Sequence, residues 1–551
     1  MKLSITYIAA SVLVFLPLNS YAESRPTQSQ YSLGGYSSIQ VNVDSLGQNI
    51  ADDAANETTI AVDPTDPGNI VIGWRQFDSV QSISVQGGWA YSQDGGLNWV
   101  FPGVLPLTAS QYRTDPVLDV DSQGNFYYQS LHHGDVGTEG TEIFKSVDGG
   151  MTWQNPVRAF DGDKNWMAID RTGGASDGHI YSIWRAGSSP NHFNRSTNKG
   201  ASFETPVKVP MDPGFGRITV GPNGDVYAAG RSETSHSEPN IANKVVFDSY
   251  LFTKSVNAKD PVVTPGFSTK ELDMGGFAIL PLFESPNKFG SIADVQIGVD
   301  SSQGTTRGNI YVLAALDPPG IDHHDIHLIR STDAGEHWSA PVRVNDDSPA
   351  ENSWQWFPAM DVAPNSRIDA VWYDTRNSEG VRVSELFYAY SWDAGDTWSE
   401  NIPVSIPFDT FIGQPQGSAK LGDYIDAVSD ESGMNVAYAA TFNGEQDAYF
   451  VRLFPDCNGN SLSDVDDISQ GTSQDVDVNQ IPDECEMQIN PGDLDSDGDV
   501  DRDDLKIILL FRNTPASDSD DPKDIDKDGV ITALDARKLR LLCTRPRCAT
   551  Q

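Results

Sequence analysis

Six arginines, Arg75, Arg113, Arg185, Arg217, Arg231 and Arg376, stand just beyond apolar, strand-like segments of a 551-residue chain with a formal net charge of −41. Cations held at equivalent places in so acidic a protein point to a negatively charged ligand. A guanidinium meets a carboxylate or sulfate through a two-pronged fork of N–H donors. Aromatic residues interleaved with them, among them Trp74, Trp166, Trp354 and Trp356, offer flat faces to sugar rings. The chemistry implied is recognition of an anionic glycan. Groups able to move protons or attack a bond share these positions: Asp423, Tyr424, Tyr373, His133, His192 and Tyr250. A hydroxyl beside a carboxylate base is a nucleophile in waiting. A His or Tyr base, with an arginine neutralising a uronate carboxylate, drives β-elimination instead. For elimination the local set is His132 or His133, His192, Tyr250, Arg185 and Arg217. Hydrolysis comes first among the readings, elimination second, and a non-catalytic propeller binding glycan or protein third.

Positioning these residues falls to a repeat. Seven times the chain runs through an apolar strand, a Gly- or Asn-containing turn and a second apolar strand, from IAVDPTDPGNIVIGW (60–74) to DAVSDESGMNVAYAA (426–440). A recurrent unit of about 50 residues signals a radial or stacked array, and period-2 alternation makes each unit a β-hairpin. The fold class expected is mainly β, a β-propeller of seven blades with six as the alternative. The last unit has three strands, and SSIQVNVD (37–44) is expected to supply its fourth and close the ring. Strands alternate in direction within a blade, so the named residues fall on one face, at the starts of inner strands, the ends of second strands and the starts of third strands.

A second repeat, Ser-x-Asp-x-Gly-x-x-Trp, recurs at Ser92–Trp99, Ser146–Trp153, Ser331–Trp338 and Ser391–Trp398, with a degenerate copy at Ser196–Phe203. Ser and Asp oxygens cap the N–H groups of a tight turn, Gly takes positive φ, and the aromatic packs between sheets. These turns resemble the Asp-box of the sialidase superfamily over residues 50–453. The resemblance implies a propeller, of six blades in sialidases. It also implies a site with an arginine clamp drawn from Arg75, Arg113, Arg217 and Arg376, a Tyr nucleophile at Tyr424 or Tyr373, and an aspartic acid as proton donor. Glu57–Ile60 stands where sialidases open their first blade with Arg-Ile-Pro.

Residues 456–551 hold 23 acids against 10 bases and form a separate Asp-rich module. Asp493, Asp495, Asp497, Asp499, Asp501 and Asp504 mark one twelve-position loop, with Gly498 sixth. Asp524, Asp526, Asp528, Val530, Thr532 and Asp535 mark another, with Gly529 sixth. Oxygen ligands at this spacing wrap Ca²⁺. A helix is expected after each loop. The paired units resemble a type I dockerin domain, which implies a cohesin-bearing partner. Upstream, 456–464 and 475–483 are similar to thrombospondin type 3 calcium repeats and would make a calcium-stiffened linker. The four cysteines are expected to pair as Cys457–Cys485 and Cys543–Cys548.

The acidic balance argues against nucleic acid and anionic membrane surfaces as partners. Lys2, the apolar run that follows and the Ser20-Tyr21-Ala22 site read as a secretory signal, too short to span a bilayer, so a secreted or periplasmic protein without membrane insertion is expected. The division expected is signal 1–22, mobile leader 23–37, propeller 38–455, calcium-binding linker 456–490 and dockerin-like EF-hand module 491–551.

Overall fold

A computed structural model describes residues 28–551 except 108–109, 135–138, 161, 186–190, 233, 238–243, 282–284, 289, 293, 321, 323, 350–352, 417, 461, 477–480, 484–493, 495–499, 517–520, 544–547 and 549–551. The signal segment therefore lies outside the described residues.

The repeats fold as seven blades. Their innermost strands are Ala54–Val62, Ser110–Val120, Asp163–Ile169, Pro213–Val220, Val295–Val299, Gln355–Val362 and Asp426–Asp430, for blades 1 to 7 in chain order. Each hairpin turn has a local cause. In blade 2, Asp121 Oδ1 accepts the N–H groups of Gln123 and Asn125, both at 3.0 Å, while Gly124 takes φ 77°. Blade 4 carries an excursion, a separate three-stranded sheet of Ser235–Ser237, Lys244–Phe247 and Ile279–Pro281.

Ring closure follows the sequence expectation. Tyr36–Gln40 adds to the outer edge of blade 7, pairing Ile39 with Phe450 and Gln40 with Tyr449. The expected leader needs correction at its end. Gln30–Leu33 forms a fifth strand on Tyr36–Gln40 through a turn at Gly34 and Gly35, because a two-residue Gly-Gly loop suits a hairpin.

Blades meet through side chains. The Asp-box glycines do more than take positive φ: a Cβ on Gly96 would sit 2.1 Å from Phe450, on Gly335 2.1 Å from Phe252, and on Gly150 2.3 Å from Val71, each in the preceding blade. The box aromatics fill the same seams, with Trp99 on Phe450 at 5.3 Å and Trp338 on Phe252 at 5.1 Å. Around the channel the inner strands are stapled to one another. Thr59 Oγ1 accepts from Leu118 N at 2.7 Å, Asp119 from Ile169 N at 2.7 Å, Asp361 from Ser429 N at 2.8 Å and Asp426 from Ile60 N at 3.2 Å. A sheet edge facing a channel would otherwise leave these donors unpaired.

In the tail, helices Arg502–Leu510 and Ala533–Leu542 begin where the loops end. Asp501 with Asp504, and Thr532 with Asp535, form reciprocal capping boxes. A further helix, Asp464–Gln470, was not anticipated; Ser463 caps it and Gly471 ends it at φ 72°. Cys543 and Cys548 are bonded. Cys457 is also disulfide-bonded, while Cys485 lies outside the described residues. Among the described residues no helix is long and apolar enough to cross a membrane.

Candidate functional site

Five inner strands share one irregularity. Their register slips at the same place, and the slipped residue is a non-glycine with positive φ: Glu57 (54°), Asp115 (48°), Lys164 (53°), Phe215 (49°) and Phe357 (50°). A bulge re-aims side chains and stores backbone strain of about 1–3 kcal/mol per residue. Here it turns the start of each inner strand into the channel mouth and gathers charge there.

Two residues after the bulges of blades 3 and 4, Trp166 and Arg217 reach into the channel. Arg217 of blade 4 bonds Asp426 of blade 7 and donates to Ile425 O at 2.6 Å, with its guanidinium 3.8 Å from the Trp166 ring centroid. Trp166 in turn stands edge-on to Tyr424 at 5.3 Å. These contacts close the channel at that level. Below them, toward the hairpin turns, lies a cavity of about 590 Å³ that includes Asp119, Arg171, Asp361 and Arg307. Burial pushes the Asp361 carboxyl up to about 7, yet both its oxygens accept backbone N–H groups. Arg171 bonds Asp119 and Arg307 bonds the carbonyls of Ser301 and Ser302. The charges of that cavity staple the wall.

Above the bridge lies a narrow recess lined by Lys164, Asn165, Trp166, Phe215, Gly216, Asp294, Asp423 and Tyr424. Lys164 Nζ is 2.9 Å from Asp423, which also bonds Lys420 and accepts Ser291 N at 2.8 Å. Lys420 reaches Glu57 at 3.4 Å, and Glu57 bonds Arg75 at 2.9 Å. Burial alone would raise the Asp423 carboxyl, but Lys164 and Lys420 outweigh it and hold it well below the usual carboxylate range. Asp294 goes the other way. Burial pushes it up to about 6 despite Arg217 at 3.5 Å and the charge of Lys164. Burial also pushes Glu57 up, against Arg75, Lys164 and Lys420. Glu57 Oε2, Arg75 Nε and Arg217 Nε are buried without a hydrogen-bond partner, which concentrates unsatisfied polar groups at this mouth.

Of the residues expected to form the site, Asp423, Tyr424, Arg75 and Arg217 meet here, and Arg185 and Arg231 flank it, stacking on Phe215 at 5.4 and 4.1 Å. The others go elsewhere. Arg113 is buried against Glu142 at 2.6 Å and Phe144. Arg376 bonds Asp374 at 2.8 Å and Asp346. Tyr373 lies in the seam between blades 6 and 7, bonded to Ala439 O, and burial holds its hydroxyl well above its usual range. Tyr250 is buried against Ala315 O, again with its hydroxyl raised by burial. His192 is buried between Asp212 and Val209 O. The side chain of His133 lies outside the described residues. Tyr424 is at the mouth, but its hydroxyl donates to Pro116 O at 2.9 Å, and burial with the charges of Glu57 and Asp115 holds it well above its usual range. It lacks the activation a nucleophile needs.

The arginine clamp is corrected likewise. Arg75, Arg113, Arg185, Arg217 and Arg376 each pair with a carboxylate of this chain. Lys164, Trp166 and Asp294 also lie at strand ends, but nothing in their sequence context sets them above the arginines.

In the tail, one carboxylate oxygen each from Asp524, Asp526 and Asp528 lie within 4.8 Å of one another. Asp535 is fully buried and accepts Asp526 N at 3.0 Å and Thr532 N at 2.7 Å. Of the first loop, Asp501 and Asp504 are described; Asp493, Asp495, Asp497 and Asp499 lie outside the described residues.

No family model matches the chain, and no curated protein matches it. Similar solved structures include a Dyadobacter fermentans protein of unknown function (14% identity, 76% of this chain and 100% of the other, TM-score 0.39). A Hadza microbial sialidase matches at 12% identity over 70% of this chain and 76% of its own, TM-score 0.36. The GH93 α-L-arabinofuranosidase of Fusarium graminearum matches at 12% over 77% and 98%, TM-score 0.36. Identities this low leave the activity to be read from the site itself.

Proposed function

We propose that the mouth recess hydrolyses a glycosidic bond. The observation that carries this is the opposed ionisation of two carboxyls lining one recess, with Lys164 acting on both. Glycoside hydrolysis needs one carboxyl that keeps its proton and one that does not. In this reading Asp294 protonates the leaving oxygen as the C–O bond breaks. Asp423 supplies negative charge opposite the developing oxocarbenium ion and takes the proton of the attacking water.

The sugar's charge is a separate question. At the mouth Arg75, Lys164, Arg217 and Lys420 stand against Glu57, Asp115, Asp294, Asp423 and Asp426, so no cation surplus arises there. We further propose that the protein is secreted, in keeping with its disulfides, and that the loop of Asp524, Asp526 and Asp528 binds Ca²⁺ in a dockerin-like module.

The test is a panel of umbelliferyl glycosides, including sialosides, arabinofuranosides and uronides, and of uronate polysaccharides. Released aglycone or reducing sugar that is lost in Asp294→Asn supports the proposal. Unsaturated uronate ends assign elimination, and saturable binding without turnover assigns a lectin-like role; either refutes it.

A further inference from the structure

Outside the mouth, three carboxylates converge where the ring closes. Asp53 leads into the inner strand of blade 1. Glu445 and Asp447 stand at the turn entering Asp447–Leu453 of blade 7. One oxygen from each lies within 4.8 Å of the others. Asp447 is fully buried and Asp53 is 3% exposed.

The surroundings do not neutralise this charge. Asp53 Oδ2 accepts from Gln76 Nε2 at 2.9 Å and Asn42 Nδ2 at 3.3 Å. Asp447 accepts from Asn42 and from Asn443 Nδ2 at 2.6 Å. Glu445 accepts Asp52 N at 2.9 Å and Asn49 Nδ2 at 3.4 Å. Every one of these donors is a neutral amide, and among the described residues no lysine, arginine or histidine pairs with any of the three. The second observation concerns Asp53 Oδ1, which is buried with no hydrogen-bond partner. Buried like charges without a counter-ion are unfavourable unless they hold a proton or a cation, and carboxylate oxygen is the ligand that hard cations select.

We propose that Asp53, Glu445 and Asp447 form a calcium site that ties the first blade to the last. The donor set is all oxygen, and one oxygen from each residue lies within 4.8 Å of the others, close enough for the three to share one Ca²⁺ at a Ca²⁺–O distance of about 2.4 Å. A cation there cancels the repulsion among carboxylates of the first and last blades, which also meet through Ile60 N on Asp426 and Trp99 on Phe450. The inference is independent of the glycosidase reading.

The experiment uses the full chain carrying Asp524→Asn and Asp528→Asn, which silences the described tail loop. Calcium stoichiometry is measured by equilibrium dialysis, and unfolding by tryptophan fluorescence, in calcium and in chelator. Adding Asp53→Asn should remove about one bound Ca²⁺ and abolish a calcium-dependent rise of about 3 °C or more in the propeller midpoint. In chelator the Asp53→Asn protein should be at least as stable as its parent, because a buried charge is gone. Glu445→Gln, at a partly exposed turn position, repeats the test should Asp53→Asn fail to fold. Equal stoichiometry in parent and variants, a midpoint indifferent to calcium, or variants more stable than the parent in calcium as well as in chelator would overturn the proposal.

Discussion

Replacing Asp294 by asparagine separates a proton donor from a structural carboxylate with two readings on one variant. Folded Asp294 keeps its proton up to about pH 6, against an ordinary value of 3.8. Between those values the native state binds more protons than the unfolded chain, so stability falls as pH rises through the window. The displacement corresponds to about 3 kcal/mol, net of the favourable charge of Arg217 beside the ionised group. Asparagine fills nearly the same space and has no charge to bury. Its stability relative to wild type should therefore climb by about 2–3 kcal/mol between pH ~3.5 and ~8. This comparison cancels packing changes and every other titrating group. Denaturant unfolding of both proteins at the two pH values provides it. The same variant should lose about 10²–10⁴ in kcat, and the wild-type rate should fall on the alkaline side of about pH 6. A pH-dependent gap below about 1 kcal/mol would refute the assigned ionisation; turnover near the wild-type rate would refute the role.

Three further outcomes test other parts of the reasoning. Lys164→Met removes the charge that most strongly holds Asp423 ionised. That carboxylate contributes stability present above its ordinary range and lost as pH falls through its depressed folded value, so in the variant both acid unfolding and the acid limb of the rate profile should move to higher pH. Gly335→Ala places a Cβ 2.1 Å from Phe252 at φ 86°, whereas Gly95→Ala at φ 73° meets nothing within 4 Å. The first should cost more than about 3 kcal/mol and the second about 1 kcal/mol, read by denaturant unfolding. Chelator should open residues 456–551 to protease while the propeller stays folded, as mass spectrometry of the fragments would show; a tail equally resistant with and without calcium contradicts the loop assignment.

The sequence by itself determined the number of blades, the strand that closes the ring, the Asp-box turns and the start of both tail helices. Each is written in local periodicity or spacing: alternation names a strand, Ser with Asp and Gly names a turn, and each twelve-position loop leads into a helix. It also placed Asp423, Tyr424, Arg75 and Arg217 at strand ends, and the fold brings these four together at one end of the channel. Tertiary structure decided everything about partners. Alternation tells which side of a strand a tyrosine takes but not which blade it meets, so Tyr373 and Tyr250 went into seams while Tyr424 bridged the channel. Arg217 finds Asp426 across 209 residues of sequence, and no spacing rule forecasts that a cation will be neutralised from so far away. The bulge that aims Glu57, Lys164 and Phe215 inward arises only when a strand is held at two registers by its neighbour. Ionisation followed from the same cause: Asp294 and Asp423 are the same residue type, and only burial and the placement of Lys164 and Lys420 set them apart.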